Sequence, residues 1–418
     1  MKTSLVRKNT CLSAVAFLSL FSGGPIIAGD TLSLAEATSR AIRKHPSLKS
    51  FDADRRLAEA KIISALAPPN PELEVETEDV LGSGVYEGFD SAVYNVGINQ
   101  LLELGGKRRL RGNVAEGALK TQMLRYEAAK RQIIRETAKR FVAALAAQAF
   151  ETNADETLRI ASETVDTVSE MQKGGRGSKL DVGQSEIGKK EAKLQKESAK
   201  RSAALARRRL AAMWGSSRTN FSRVTGSLRN PKSAVPEMDS LSSGLENHPI
   251  IDMARADVET ARRELLLQEK KKTPDLNVGL GYRRDSTVDD NAVVLGFSLP
   301  LPIRNRNKGG IAEAEAGIAK SEAGVDQAKS QLELDLAESW TRLVGAHSTY
   351  QLIADEMVPA ARKQYNAVAE GFRLGRMTYL QLLEARRALA ATRKESISSL
   401  EKYHTARVEI ETLTGNPL

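Results

Sequence analysis

Apolar and polar residues alternate along four short stretches of the chain. Leu73, Val75 and Thr77 are set against Glu72, Glu74 and Glu76, and a related stretch follows over 91–101. Later, Leu276, Val278, Leu280 and Tyr282 oppose Asn277, Gly279, Gly281 and Arg283; Val293, Leu295, Phe297 and Leu299 oppose Val294, Gly296 and Ser298. A period of two predicts strands over about 71–79, 91–101, 274–283 and 292–301. Strands of about nine to eleven residues with one apolar and one small or polar face suit a barrel wall in lipid. The bare pattern also allows a hairpin packed on a soluble core.

Elsewhere the period is helical. Helices are predicted over 33–66 and 241–271, ended by Pro68-Pro69 and Pro274, because proline lacks a donor and clashes inside a helix. No proline occurs between Pro71 and Pro231, so a helix over 107–173 would extend about 100 Å at about 1.5 Å per residue. Ile134, Ala138, Phe141 and Leu145 give it a coiled-coil seam. Gly174-Gly175-Arg176-Gly177 breaks that helix, and another is predicted over 180–213. The same hairpin recurs over 306–413, with its break at Gly371-Phe372-Arg373-Leu374-Gly375 and a kink expected at Pro359. Each strand pair hands over to its hairpin through a basic turn. The first carries Gly105-Gly106 with Lys107, Arg108, Arg109 and Arg111; the second carries Arg304, Arg306, Lys308 and Gly309-Gly310.

These recurrences form one duplicated unit, offset by about 200 residues. His45-Pro46 matches His248-Pro249, Pro71-Glu72-Leu73 matches Pro274-Asp275-Leu276, and Gly175-Arg176 matches Gly375-Arg376. The expected layout is a signal peptide over 1–28, repeats over 29–215 and 241–415, a connector over 216–240 and a tail over 416–418. The fold class is α+β, each repeat joining a β-hairpin to a long coiled-coil hairpin.

Composition narrows the function. Of 418 residues, 28% are charged and only 5% aromatic, a mixture typical of long helices. The net charge of +9 raises nucleic acid or acidic lipid as partners. Lys2, Arg7 and Lys8 precede an apolar run over 12–21, with small residues near Ala28, which reads as a secretory leader and argues against nucleic acid. Cys11 is the only cysteine and falls inside that leader, leaving no thiol chemistry for the mature chain. No later apolar run reaches about 18 residues, so a membrane role requires a barrel. The four histidines, at 45, 248, 347 and 404, form no ligand pattern; His45 and His248 read as helix-end caps. No nucleophile elbow, P-loop or dinucleotide fingerprint is present. The expectation is a protein without catalytic residues, cofactor or metal site.

Leu104-Gly105-Gly106-Lys107-Arg108, soon after Pro69-Asn70-Pro71-Glu72-Leu73, and the tip Gly371–Ala385 resemble the TolC-type outer membrane factor family, in its CzcC-like heavy-metal branch. Four strands cannot close a barrel, for which about eight are needed. Two copies or three would suffice, and the resemblance implies three. It further implies a trimeric 12-stranded barrel in the outer membrane of a Gram-negative bacterium, continued by a periplasmic helical tunnel, with the connector in its equatorial region. Such a protein is a passive exit duct, joined at its tips to a periplasmic adaptor and an inner-membrane pump, here of RND type exporting cations such as cobalt, zinc or cadmium. The rival readings are a periplasmic adaptor, which has one hairpin and lipoyl-like halves, and a secreted coiled-coil structural protein.

The family reading assigns roles by position. Gly175, Arg176, Gly177, Gly375 and Arg376 would dock the adaptor. Asp181, with Glu186 and Glu384, would ring a gate partnered by Arg176 and Arg376, or Asp181 would simply cap its helix. Lys107, Arg108, Arg109, Arg304, Arg306 and Lys308 would meet lipid headgroups. Glu72, Glu74, Glu76, Asn95, Asn99, Asn277 and Arg283 would face the lumen, and Leu73, Val75, Tyr94, Val96, Leu276, Val278, Leu280, Phe297 and Leu299 the lipid.

Overall fold

The computed structural model describes residues 31–228, 231 and 235–417; the leader expected over 1–28, with Cys11, lies outside them. In chain order the elements are β1 (Thr31–Leu32), α1 (Leu34–Lys44), α2 (Pro46–Leu66), β2 (Glu72–Glu78), β3 (Val93–Leu102), α3 (Lys107–Lys173) and α4 (Lys179–Ala211). There follow β4 (Arg223–Val224), α5 (Met238–Ser242), α6 (Pro249–Lys270), β5 (Leu276–Asp285) and β6 (Asp290–Ser298). The chain ends with α7 (Lys308–Gln351), α8 (Val358–Arg373) and α9 (Tyr379–Thr414). Two compact units result. One comprises the described parts of Met1–Lys49, Glu127–His248 and Lys329–Leu418; the other comprises Ser50–Tyr126 and Pro249–Ala328.

The helix expected over 33–66 is broken at His45. Ser33 opens α1 with a capping box, its hydroxyl accepting from the Glu36 amide at 3.2 Å while its own amide donates to the Glu36 carboxylate at 3.1 Å. His45 then turns extended, because a residue before proline is driven out of the helical region. Its Nδ1 accepts from the Ser47 amide at 3.3 Å at the start of α2. The helix expected over 241–271 divides for the same reason, with α6 starting at Pro249 after the buried His248.

In the second unit the four strands form one antiparallel sheet in the order β2-β3-β5-β6. Glu74 pairs with Gly97, Gly97 with Gly281 and Gly281 with Val294; Val75 pairs with Val96, Val96 with Tyr282 and Tyr282 with Val293. One face therefore carries Glu72, Glu74, Glu76, Asn95, Asn99, Asn277 and Arg283. The other carries Leu73, Val75, Tyr94, Val96, Leu276, Val278, Leu280 and Phe297, and most of it is bare: Leu73 is 72% exposed and Phe297 71%. On the polar face Asn99 donates to Glu74 at 2.6 Å. Its carboxamide occupies the space above Gly279, where a Cβ would lie 2.3 Å from Asn99 Oδ1. The glycine makes room for the side chain beside it.

The first unit is helical, with β1 and β4 pairing in parallel inside it. β4 falls within the segment read as a connector, and Gln148 of α3 holds its edge, donating to the Val224 carbonyl at 3.1 Å and accepting from the Val224 amide at 2.7 Å. Ala138, Phe141 and Leu145 are buried as the seam requires, but Ile133 is buried more fully than the expected Ile134. Near Pro359 the structure shows a π-helical turn, Leu352–Met357, with the Val358 amide bonded to the Ile353 carbonyl. A proline removes one i→i−4 donor, and the widened turn accommodates the loss.

Glu409 joins α9 to α3 and α7, accepting from Lys139 and, at 2.9 Å, from Arg342. Burial works to raise its pKa, but the hydrogen bonds and charges of Lys139 and Arg342 outweigh it and hold the carboxyl below its ordinary range. Such a group contributes stability that is fully present above the unfolded pKa, about 4.3, and is lost as pH falls through the lower folded value. Glu409→Gln is expected to cost about 2 kcal/mol at neutral pH and to weaken the loss of stability on acidification below about pH 4. Thermal melts of the detergent-solubilised protein across that range measure both effects.

Candidate functional site: strand–helix junctions and helical tips

Both junctions pass from strand to helix through a left-handed residue. Gly105 and Gly106 have φ of 70° and 72°, and a Cβ on Gly105 would stand 3.3 Å from Thr273. At the second junction the left-handed residue is Asn307, with φ of 56°. Gly309 and Gly310, read above as the matching pair, instead lie in the first turn of α7. Asparagine tolerates this conformation, and here its carboxamide is tied at 2.8 Å to the Gln268 carbonyl, which closes the turn onto α6.

The basic residues of the first junction divide in two. Lys107 departs from the headgroup assignment: it is only 7% exposed, and its ammonium lies 2.8 Å from Asp275 Oδ1. That oxygen also accepts from the Leu104 amide at 2.9 Å. A cation at a helix N-terminus opposes the dipole, and the half-buried Asp275 carboxylate compensates it. Arg111 is likewise engaged, both of its terminal nitrogens donating to Glu103. Arg108 and Arg109 are exposed, as are Arg304, Arg306 and Lys308. Asp275 and Glu103 were missed in the sequence. The position of Asp275 directly after Pro274, at the mouth of a strand facing a buried lysine, becomes meaningful only when α3 and β5 are brought together.

The two tips share one geometry. Gly175 and Gly375 adopt φ of 71° and 73°, and the next amides, of Arg176 and Arg376, each reach back 2.8 Å to Met171 and Gly371 carbonyls. Glycine ends the helix at each tip because it enters the left-handed region freely. A capping box then starts the returning helix: Ser178 with Asp181 in α4, Thr378 with Gln381 in α9. Asp181 accepts from the Ser178 amide at 3.3 Å, so its position in the fold is that of a cap. Glu186, Glu384, Arg176 and Arg376 are exposed. Beneath the tips, Val168, Met171, Phe372, Tyr379 and Leu382 form a common apolar cluster. Leu180, Leu374 and Leu380 remain 67%, 59% and 60% exposed at the surface.

The chain thus combines an amphipathic sheet that has a bare apolar face with long helical hairpins, each entered from a strand through a left-handed turn. No helix of the described residues is long and apolar enough to cross a membrane. Residues 37–216 and 241–416 match the family model for outer membrane efflux protein, and the chain belongs to that family. It is an outer membrane efflux channel, and neither the family nor the fold is that of an enzyme. The cobalt-zinc-cadmium resistance protein CzcC of Cupriavidus metallidurans is 27% identical over 413 residues, spanning 99% of this chain and 95% of that protein. The nickel-cobalt-cadmium resistance protein NccC of Alcaligenes xylosoxydans xylosoxydans is 23% identical over 77% of this chain and 72% of its own. Among solved structures, the outer membrane protein VceC of Vibrio cholerae has a TM-score of 0.75 at 17% identity, covering 92% of this chain and 96% of that one. The resemblance read from the junction and tip residues, to the TolC-type family and its CzcC-like branch, is thereby borne out.

Asp181→Ala removes half of a capping box and is expected to lower thermal stability by about 1 kcal/mol. A thermal melt reads that loss. Single-channel conductance in planar bilayers, measured on the same variant, is expected to stay unchanged if the residue only caps; altered conductance or cation selectivity would identify it as a gate.

Proposed function

We propose that three copies of this chain close their sheets into one 12-stranded barrel and continue it as a helical tunnel. The assembly is a passive duct through which an inner-membrane pump of RND type and a periplasmic adaptor discharge divalent heavy-metal cations. The observation that carries this reading is the open four-stranded sheet, whose edge strands β2 and β6 each pair on one side only within the described residues. An edge of that kind is untenable in lipid. Leu180, Ile187 and Leu194 add a second argument: they repeat every seven residues along α4 and are 67%, 58% and 70% exposed. A heptad stripe of that kind suits a helix of a neighbouring copy. The metal substrate rests on the likeness to CzcC and NccC, whose names state metal resistance.

In this reading Glu72, Glu74, Glu76, Asn95, Asn99, Asn277 and Arg283 face the lumen, while the apolar face meets lipid. Arg108, Arg109, Arg304, Arg306 and Lys308 lie beside headgroups, and the tips at Gly175 and Gly375 meet the adaptor. Single cysteines at Asn277 and Val278 separate the faces in intact cells. A membrane-impermeant maleimide is expected to label Asn277→Cys and to spare Val278→Cys; the reverse pattern would place the faces the other way round.

The duct itself is tested by export. Cells carrying Gly175→Trp together with Gly375→Trp should accumulate cobalt, zinc and cadmium like cells lacking the protein, because Trp cannot take the left-handed turn freely and enlarges the docking surface. Heat-modifiable gel mobility of the variant should persist, reporting an intact barrel. Normal metal export by that variant refutes docking at the tips, and normal metal levels in cells lacking the protein refute the substrate.

A further inference from the structure

Arg386 stands at a core position of α9. Tyr379, Leu382, Arg386 and Leu389 follow at helical spacing and are 2%, 5%, 7% and 3% exposed, so a guanidinium occupies a place where its neighbours on the seam are apolar or aromatic. Room for it is made by Gly188 of α4: a Cβ there would lie 2.9 Å from one terminal nitrogen of Arg386 and 3.6 Å from the Tyr379 hydroxyl. That hydroxyl is buried and has no hydrogen-bond partner among the described residues. The nearby acid, Glu191, is paired with Arg387 at 3.3 Å. Among the described residues no carboxylate forms an ion pair with Arg386. A buried cation left without an anion is costly, and burial pulls the Arg386 guanidinium below the ordinary arginine range.

The guanidinium borders a cavity of about 530 Å³ between α3, α4 and α9. Its walls are largely apolar, from Phe150 and several alanines, but Asn153, Gln195, Ser198 and Ser202 contribute amide and hydroxyl groups. Its charged lining is Arg386, Arg387 and Lys394 against Glu191 alone. We propose that this cavity binds a small oxyanion, a phosphate or a carboxylate, held by the Arg386 guanidinium and the surrounding amides and hydroxyls. Guanidinium groups pair such anions through two parallel hydrogen bonds. The lining draws on both arms of the first hairpin and on the returning arm of the second, so a bound anion would tie the two hairpins together a few turns from their tips. The site lies apart from the tips, the junctions and the sheet, and does not depend on what the duct carries.

Thermal melts of the purified full chain in detergent test the site, with inorganic phosphate or succinate added while chloride holds the ionic strength constant. The wild-type midpoint is expected to rise saturably, by several degrees once the anion is about 100-fold above its Kd. Arg386→Met keeps the stem volume and removes the charge; it should abolish the rise and leave the anion-free midpoint equal or higher. Arg386→Lys should retain a weakened response. Gly188→Ala, which crowds the guanidinium, should shift the midpoint-versus-anion curve to higher concentration. No saturable rise in the wild type, or an equal rise in Arg386→Met, overturns the proposal. A lower anion-free midpoint in Arg386→Met does so as well, since the guanidinium would then already have its partner within the protein.

Discussion

The outer backbone edges of β2 and β6 set the terms for the rest of the structure. In water such edges could be solvated, but a bilayer offers no hydrogen-bonding partner, and each unsatisfied group there costs several kcal/mol. The chain supplies four strands to its sheet, too few to bend round on themselves. In the proposed assembly the sheet is a segment of a larger wall. Its two faces are chemically distinct, and its glycines at 97, 279, 281 and 296 share the polar face, where large side chains from several copies would crowd a lumen. The turns that follow then have one task in each repeat, to redirect the chain from strand to helix within a few residues.

Those turns show how duplicated units diverge without losing shape. The first uses two left-handed glycines and the second a left-handed asparagine whose side chain is bonded to α6. At the tips the divergence runs through the caps: Ser178 and Asp181 in one hairpin, Thr378 and Gln381 in the other, complete the same reciprocal pair of bonds. A carboxylate and a carboxamide oxygen are interchangeable for this purpose, since both accept from the backbone. The backbone requirement is common to both copies, while the charge it leaves behind differs.

Charge placement is the property on which sequence and structure part most clearly. The basic residues near the first junction look alike in the chain, yet Lys107 and Arg111 are consumed by Asp275 and Glu103, while Arg108 and Arg109 reach the surface. Helical phase separates them, because adjacent residues point about 100° apart and only some can turn inward. Arg386 is the opposite case: a seam spacing shared with Tyr379, Leu382 and Leu389 already marks it as inward-facing, but only the paired state of Glu191 shows that its charge is unmatched.

The sequence by itself determined what depends on local periodicity and backbone chemistry. Alternation at Glu72–Glu78 and Leu276–Ser298, the proline-free run through α3, and glycine at the tips are each sufficient, because strand, helix and turn are selected by neighbours a few residues away. Even there, periodicity runs past two prolines: Pro46 and Pro249 begin new helices where the pattern predicts one long helix in each repeat. Tertiary structure alone decided which residues from distant segments meet. Gln148 satisfies the edge of β4 from 76 residues away, Asp275 reaches Lys107 across 168, and Lys139 reaches Glu409 across 270. Such partners share no local pattern. Burial leaves each polar group dependent on whatever the fold brings within hydrogen-bonding distance.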